Sequence, residues 1–243
     1  MNSENESQMG FLDHLEELRW RLIKSLSAII LGSVLSFGYI EEILHLLLLP
    51  SRQTTVPINI QVLTVQGMFL IKWFISFISG FVVALPFLIY QLWKFVSPGL
   101  LVNEKKYVFP VVFFSFVSFL CGILFGYFII IPFSLEFFSG IGSQDIQNNY
   151  SIQYYFSFLS WLILGTGLIF QLPVVSLVLS AIGFLTPSFM RHYRRHSIVF
   201  IFIISSFITP PDPVSMLIMA FPLVFLYELS IGVSWIIVRD NRN

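Results

Sequence analysis

Two carboxylates in this chain stand among cations. Glu17 lies in FLDHLEELRWRLIK, four residues before Arg21, and Glu104 is the one acid in the basic run around Lys105 and Lys106. A carboxylate in such company has two uses. It can pair locally, Glu17 with Arg21 at helical spacing for about 0.2–0.5 kcal/mol and Glu104 with Lys105. Alternatively, two separated carboxylates can together hold a cationic ligand.

Three further polar residues interrupt apolar runs: Lys72, Gln171 and Glu228. A charge at mid-membrane costs at least about 2.5–3.5 kcal/mol on insertion scales, so each is a functional candidate. Lys72 lies near the end of its segment, from which a long side chain reaches water. Glu228 falls near the middle of the last segment. Gln171 offers a donor and an acceptor, either to an ordinary interhelical hydrogen bond or to a partner helix. His192 and His196, four apart in RHYRRH, have the spacing of shared metal ligands. The flanking arginines and the want of a third ligand nearby favour contact with interfacial phosphate instead. No nucleophile elbow, zinc-protease helix, phosphate loop or dinucleotide fingerprint occurs. The single cysteine, Cys121, can form neither an intrachain disulfide nor a cysteine metal cluster. The expectation is a protein without catalytic residues, metal or cofactor.

The elements that hold these residues are membrane helices. Of the 243 residues 56% are hydrophobic and 11% charged, against about 25% charged in soluble domains. Thirteen basic residues balance 13 acidic ones, which argues against nucleic acid as a partner. Residues 1–21 include a cytoplasmic amphipathic helix, with Leu12, Leu15 and Leu18 on one face and Asp13, Glu17, Arg21 and Lys24 on another. Apolar spans follow at about 22–40, 68–96, 107–131, 152–182, 197–208 and 214–238. Residues 1–243 are read as one all-α membrane domain of six transmembrane helices. Met1 to Gly10 has no signal-peptide features, so the first span is expected to stay in the protein. With the amino terminus inside, eleven of the 13 basic residues fall on the inner side and only Arg52 and Lys72 on the outer. Both termini are therefore expected to be cytoplasmic.

Span lengths are uneven. Residues 197–208 reach only about 18 Å, well short of about 30 Å of hydrocarbon. The span 152–182 is long enough to tilt, and Pro173 can kink it. Between the first two spans, ILHLLLLP is too short to cross and is expected to rest at the outer interface, ended by Pro50. Residues 132–151 read as a loop.

Five stretches in order, FLDHLEELRWRL, LPFLIYQLWKFVSPGLLVNEKK, FGYFIIIP, FQLPVV and ITPPDPVSMLIMAFPLVFLYE, together with the six spans, resemble the TatC family, the multispanning receptor of the twin-arginine protein translocase. The resemblance implies a concave, glove-like bundle whose last two spans are short. It implies recognition of twin-arginine signal peptides of folded proteins by Glu17 and Glu104, with Arg19 and Phe95 also at motif positions. Arginine's planar fork makes two charge-assisted hydrogen bonds to one carboxylate, which lysine cannot reproduce. Pro50, Tyr127 and Asp212 fall at motif positions of the outer face. Gln171, beside Pro173, stands where several relatives carry a buried glutamate, and both are expected to meet partner helices. The partners implied are TatA- and TatB-like single-span subunits in a multimeric complex within the lipid bilayer. The location implied is the bacterial cytoplasmic (inner) membrane or an organelle membrane, with export driven by the proton-motive force. The competing reading of the residues is a secondary transporter using Lys72, Gln171 and Glu228 as a solute or proton path, though no internal repeat supports it. An intramembrane hydrolase would need a nucleophile and base that the spans lack.

Overall fold

The charged stretch and the apolar run behind it form one helix, α1 (Phe11–Gly38). The computed structural model describes residues 11–96, 108–141, 149–181, 183–209 and 213–240. Glu104 and Asp212 lie outside the described residues, as do residues 1–10 of the expected amphipathic segment. The described chain is helical almost throughout, and five stretches are long and apolar enough to cross a membrane: Asp13–Gly38, Gly67–Phe95, Val111–Gly140, Ile152–Ser180 and Pro213–Trp235.

Two compact units divide the chain, one from Met1–Ile40 with Trp73–Phe116, the other from Glu41–Lys72 with Val117–Asn243. In the first, α1 packs on α3 (Gly67–Val96) at a point where both backbones are bare. A Cβ on Gly32 would lie 2.6 Å from the carbonyl oxygen of Gly80, and one on Gly80 would strike the Ser33 backbone. Small residues allow this approach, which replaces the hydrophobic effect as the source of helix association in lipid. Phe37 and Trp73 pack beside it, ring centroids 5.3 Å apart.

Helix α2 (Ile40–Arg52), in the second unit from Glu41 on, buries Leu44, Leu47 and Ser51 at three- and four-residue spacing. At 13 residues, about 20 Å, it is too short to cross. The expected stop at Pro50 does not occur, because the helix runs on to Arg52 with Pro50 inside it and buried.

The third apolar segment also outruns its expected end. Helix α4 (Val108–Phe125) passes through a wide π turn, Gly126–Ile130, into α5 (Ile131–Gly140). Residues 132–140, expected as loop, are therefore helical. The Ile131 N–H reaches back to the Gly126 carbonyl, and the wide turn gives room for Pro132, whose ring would crowd the preceding turn of a regular helix. Gly122 and Gly126 face α6 (Ile152–Ile169): a Cβ on Gly122 would lie 2.7 Å from the Gly167 Cα.

Helix α6 ends at Ile169, and α7 (Leu172–Ala181) resumes after Phe170 and Gln171. Pro173 has no N–H for the carbonyl of Ile169, so the kink expected there is a break. Ser118 donates its hydroxyl to the freed Phe170 carbonyl. Helices α8 (Pro187–His192), α9 (Arg194–Ile208) and α10 (Pro213–Asp240) complete the unit. The expected span 197–208 lies within α9, whose 15 residues rise about 22 Å. The last helix is not short: α10 has 28 residues, and its apolar part Pro213–Trp235 has 23. It lies along α7 and α9, with Ser180 donating to Ser234 at 2.7 Å and Ser134 bonded to Ser215 at 2.9 Å.

A two-stranded parallel ladder joins two connectors: β1 (Asn59–Gln61) pairs with β2 (Asn149–Ser151), Asn59 opposite Asn149. Three-residue strands in irregular segments have no periodicity for a sequence reading to detect.

Candidate functional site

Residues 14, 17 and 21 recur at intervals of three and four, so His14, Glu17 and Arg21 share one face of α1. Gln91 and Phe95, also four apart, share a face near the end of α3. Within the first unit these two faces meet. The Glu17 Oε1 accepts from both Arg21 Nε, at 3.0 Å, and Arg21 Nη2. The remaining Arg21 amine, Nη1, donates to Gln91 Oε1 at 3.2 Å. His14 stacks on Phe95 with centroids 4.3 Å apart and planes 13° from parallel.

The local pairing anticipated for Glu17 is thus formed, but it uses only half of the carboxylate. The other oxygen, Oε2, is shut off from water and has no hydrogen-bond partner. The nearest cationic candidate, His14 Nδ1, is 3.8 Å away, beyond hydrogen-bond reach. Side-chain exposures of 20% for Glu17 and 12% for Arg21 place the pair where Coulomb attraction is less screened than at an open surface. Two free lone pairs on a partly buried carboxylate oxygen can accept a charge-assisted hydrogen bond from a guanidinium. His14, 3.8 Å from Oε2, carries the Phe95 ring stacked on its own.

Of the residues singled out in the sequence, the structure brings Glu17 and Phe95 together. Arg19 lies two residues from Glu17 and therefore on another side of α1, where it is exposed and pairs with Glu16 at 3.6 Å. His14 and Gln91 were not anticipated. Their only signal was helical phase, His14 three residues before Glu17 and Gln91 four before Phe95.

Pro50 and Tyr127, both expected at the outer face, turn out to be mechanically linked. Proline at 50 has no N–H to offer Leu46, the residue four before it. The Tyr127 hydroxyl, from the π turn, donates to that Leu46 carbonyl at 2.7 Å, and Tyr155 does the same for Leu47 at 2.8 Å. Glu136 of α5 accepts from the Thr55 backbone at 3.0 Å and from the Thr55 hydroxyl, fixing the chain that leaves α2.

The polar residues that interrupt the apolar runs have partners. Lys72 bonds Glu41 at 2.5 Å, and Glu228 accepts from Arg194 at 2.8 Å. Glu228 therefore stands level with the start of α9. Gln171 sits at the α6–α7 break, where its carbonyl accepts from Val175 N–H at 2.9 Å, and Pro173 opens α7. His192 and His196 flank the Tyr193 ring. Among the described residues no group of three or more His, Cys, Asp or Glu is placed to hold a metal.

The family model described as "Sec-independent protein translocase protein (TatC)" matches residues 13–222. The chain is 38% identical to the protein of that name from Helicobacter pylori strain J99, over 95% of this chain and 92% of the relative. With the Aquifex aeolicus protein it shares 34% identity, over 96% and 98% of the two chains. Two solved structures described as the twin arginine translocase receptor TatC, one of them in DDM, superpose with TM-scores of 0.78 and 0.80 at 34% identity. They cover 91% of this chain and 97% and 99% of theirs. A helical chain with several membrane-spanning stretches and this breadth of likeness is a multi-pass membrane protein, a translocase component of the TatC family, to which the chain belongs.

Proposed function

We propose that this protein is the receptor subunit that recognises twin-arginine signal peptides of folded proteins, with Glu17 as one acceptor and Glu104 as the other. The observation that carries this reading is Glu17 Oε2, shielded from water, without a hydrogen-bond partner, and 3.8 Å from His14, on which Phe95 stacks. Arg21 holds the carboxylate in place through Oε1 and leaves Oε2 for an incoming guanidinium, which must displace the side chains now covering it. Arg19, on the exposed side of α1, is proposed to meet the flank of the peptide. In this reading the chain crosses a bacterial cytoplasmic membrane six times, α9 included, with both termini cytoplasmic. It assembles with TatA- and TatB-like single-span subunits at the α6–α7 break around Gln171 and Pro173, and export draws on the proton-motive force. A solute or proton path is less well supported, because Glu228 and Lys72 are engaged by Arg194 and Glu41.

The test is retention of the membrane-embedded protein on an immobilised twin-arginine signal peptide, against the same peptide with twin lysines. The twin-arginine peptide should retain the wild type, and the twin-lysine peptide should not. Glu17→Gln and Glu104→Gln should each lower retention by about tenfold, the equivalent of one charge-assisted hydrogen bond. Equal retention on both peptides would end the reading.

A further inference from the structure

The proposed receptor function leaves the basic junction between α8 and α9 without a role. In RHYRRH, Arg191, His192, Arg194, Arg195 and His196 are all exposed. Tyr193 stands among them, its ring 4.6 Å from Phe189, 5.0 Å from His192 and 5.7 Å from His196. The junction is held to α10 from both sides, since Tyr227 donates to the Met190 carbonyl at 2.8 Å and bonds Ser197 at 2.9 Å. Among the described residues Glu228 answers this charge, engaging Arg194. Among the described residues, Arg191 and Arg195 have no ion pair. The first turn of α9 contains no acidic residue and no side-chain cap, so the partial positive charge of the helix start adds to the arginines instead of offsetting them.

Depth decides what can meet this surface. Glu228 marks its level on α10, and Ser180 of α7 bonds α10 at Ser234, six residues further on. Arg194, between Arg191 and Arg195 in the chain, therefore lies about 9 Å short of the level at which α7 meets Ser234, still within the apolar stretch Pro213–Trp235. On the six-span reading of the proposed function, in which α10 crosses the bilayer, a soluble anion would have to enter it to meet them. Headgroup phosphates are already at its boundary, and a local thinning carries them inward at a cost of fractions of a kcal/mol per Å.

We propose that the α8–α9 junction binds the phosphodiester headgroups of acidic phospholipids in the leaflet where α9 begins. Arg191 and Arg195 are the phosphate ligands, their planar forks suited to two-point contact with phosphate oxygens. Phe189 and Tyr193 lie at the headgroup boundary, where aromatic rings are favoured. Glu228 moderates the site by holding Arg194.

The full-length protein in a nonionic detergent, titrated with phosphatidylglycerol or phosphatidylcholine and read by native mass spectrometry, tests this. The wild type should bind phosphatidylglycerol about tenfold more tightly than phosphatidylcholine. Replacing both arginines, Arg191→Gln with Arg195→Gln, should remove that preference. Arg52→Gln, which alters an exposed cation at the end of α2, should leave it unchanged. Glu228→Gln should strengthen binding by releasing Arg194, an effect opposite to that of general damage. Retention of the preference without Arg191 and Arg195, its loss in Arg52→Gln, no gain in Glu228→Gln, or displacement of the lipid by excess inorganic phosphate would each overturn the proposal.

Discussion

At the scale of single residues, Glu17 has two partners to satisfy, one present and one proposed, and the two can be separated. Glu17→Gln leaves the Arg21 guanidinium, 12% exposed, without its counter-charge, a loss of up to about 3 kcal/mol for a buried pair. Removing both charges, Glu17→Gln with Arg21→Gln, should recover most of the thermal stability in detergent while signal-peptide binding stays lost. If binding returned together with stability, Glu17 would act only as the partner of Arg21. The four-residue spacing made this pair legible in the sequence. Gln91, 70 positions from Arg21, had no signal beyond its phase with Phe95, because nothing local says which helix will lie alongside. Tyr127 offers a second test. Tyr127→Phe should cost about 1 kcal/mol in detergent melts by stranding the Leu46 carbonyl, and much less in a Pro50→Ala background, where an N–H at position 50 reaches that carbonyl itself. Equal costs in both backgrounds would dissolve the link.

At the scale of elements, the apolar runs fall on helices because runs of membrane length have few alternatives, and residues 197–208 lie in the 15-residue α9. What misled was proline. The sequence marks Pro50 and Pro132 as stops, yet a hydroxyl from another helix in one case and a π turn in the other let the helix continue. Both remedies depend on residues outside the local window. At Pro173 the Ser118 hydroxyl takes up the Phe170 carbonyl without restoring the helix, and the kink expected there became a break. The shortness of α9 carries its own prediction. Inserting four alanines or four leucines after Phe202 adds about 6 Å and should lower export while leaving signal-peptide binding intact, as followed by export assay and by peptide retention. Wild-type export from both insertions would show that span length is immaterial.

At the scale of the whole chain, the strand pair is the feature that composition concealed entirely, since NIQ and NYS are ordinary connector sequences. It carries a topological requirement: Asn59 and Asn149 must lie on the same side of the membrane. With Cys121 replaced by serine, Asn59→Cys and Asn149→Cys should form a disulfide on mild oxidation, because neighbouring strands lie about 4.8 Å apart, within the Cα range a disulfide spans. The product should appear as a mobility shift on a non-reducing gel. Absence of the crosslink in folded protein would contradict the register.

That pairing also imposes an order of events in time. The partners Gln61 and Asn149 are separated by 88 residues, and a ribosome adding about 5–20 residues per second needs roughly 4 to 18 s to cover the interval. Throughout it β1 has been made and has nothing to pair with. Only after α3, α4 and α5 have been synthesised and β2 has followed them across can the ladder close, so its closure is a late event in the birth of this protein and reports that the preceding hairpin was inserted the right way round.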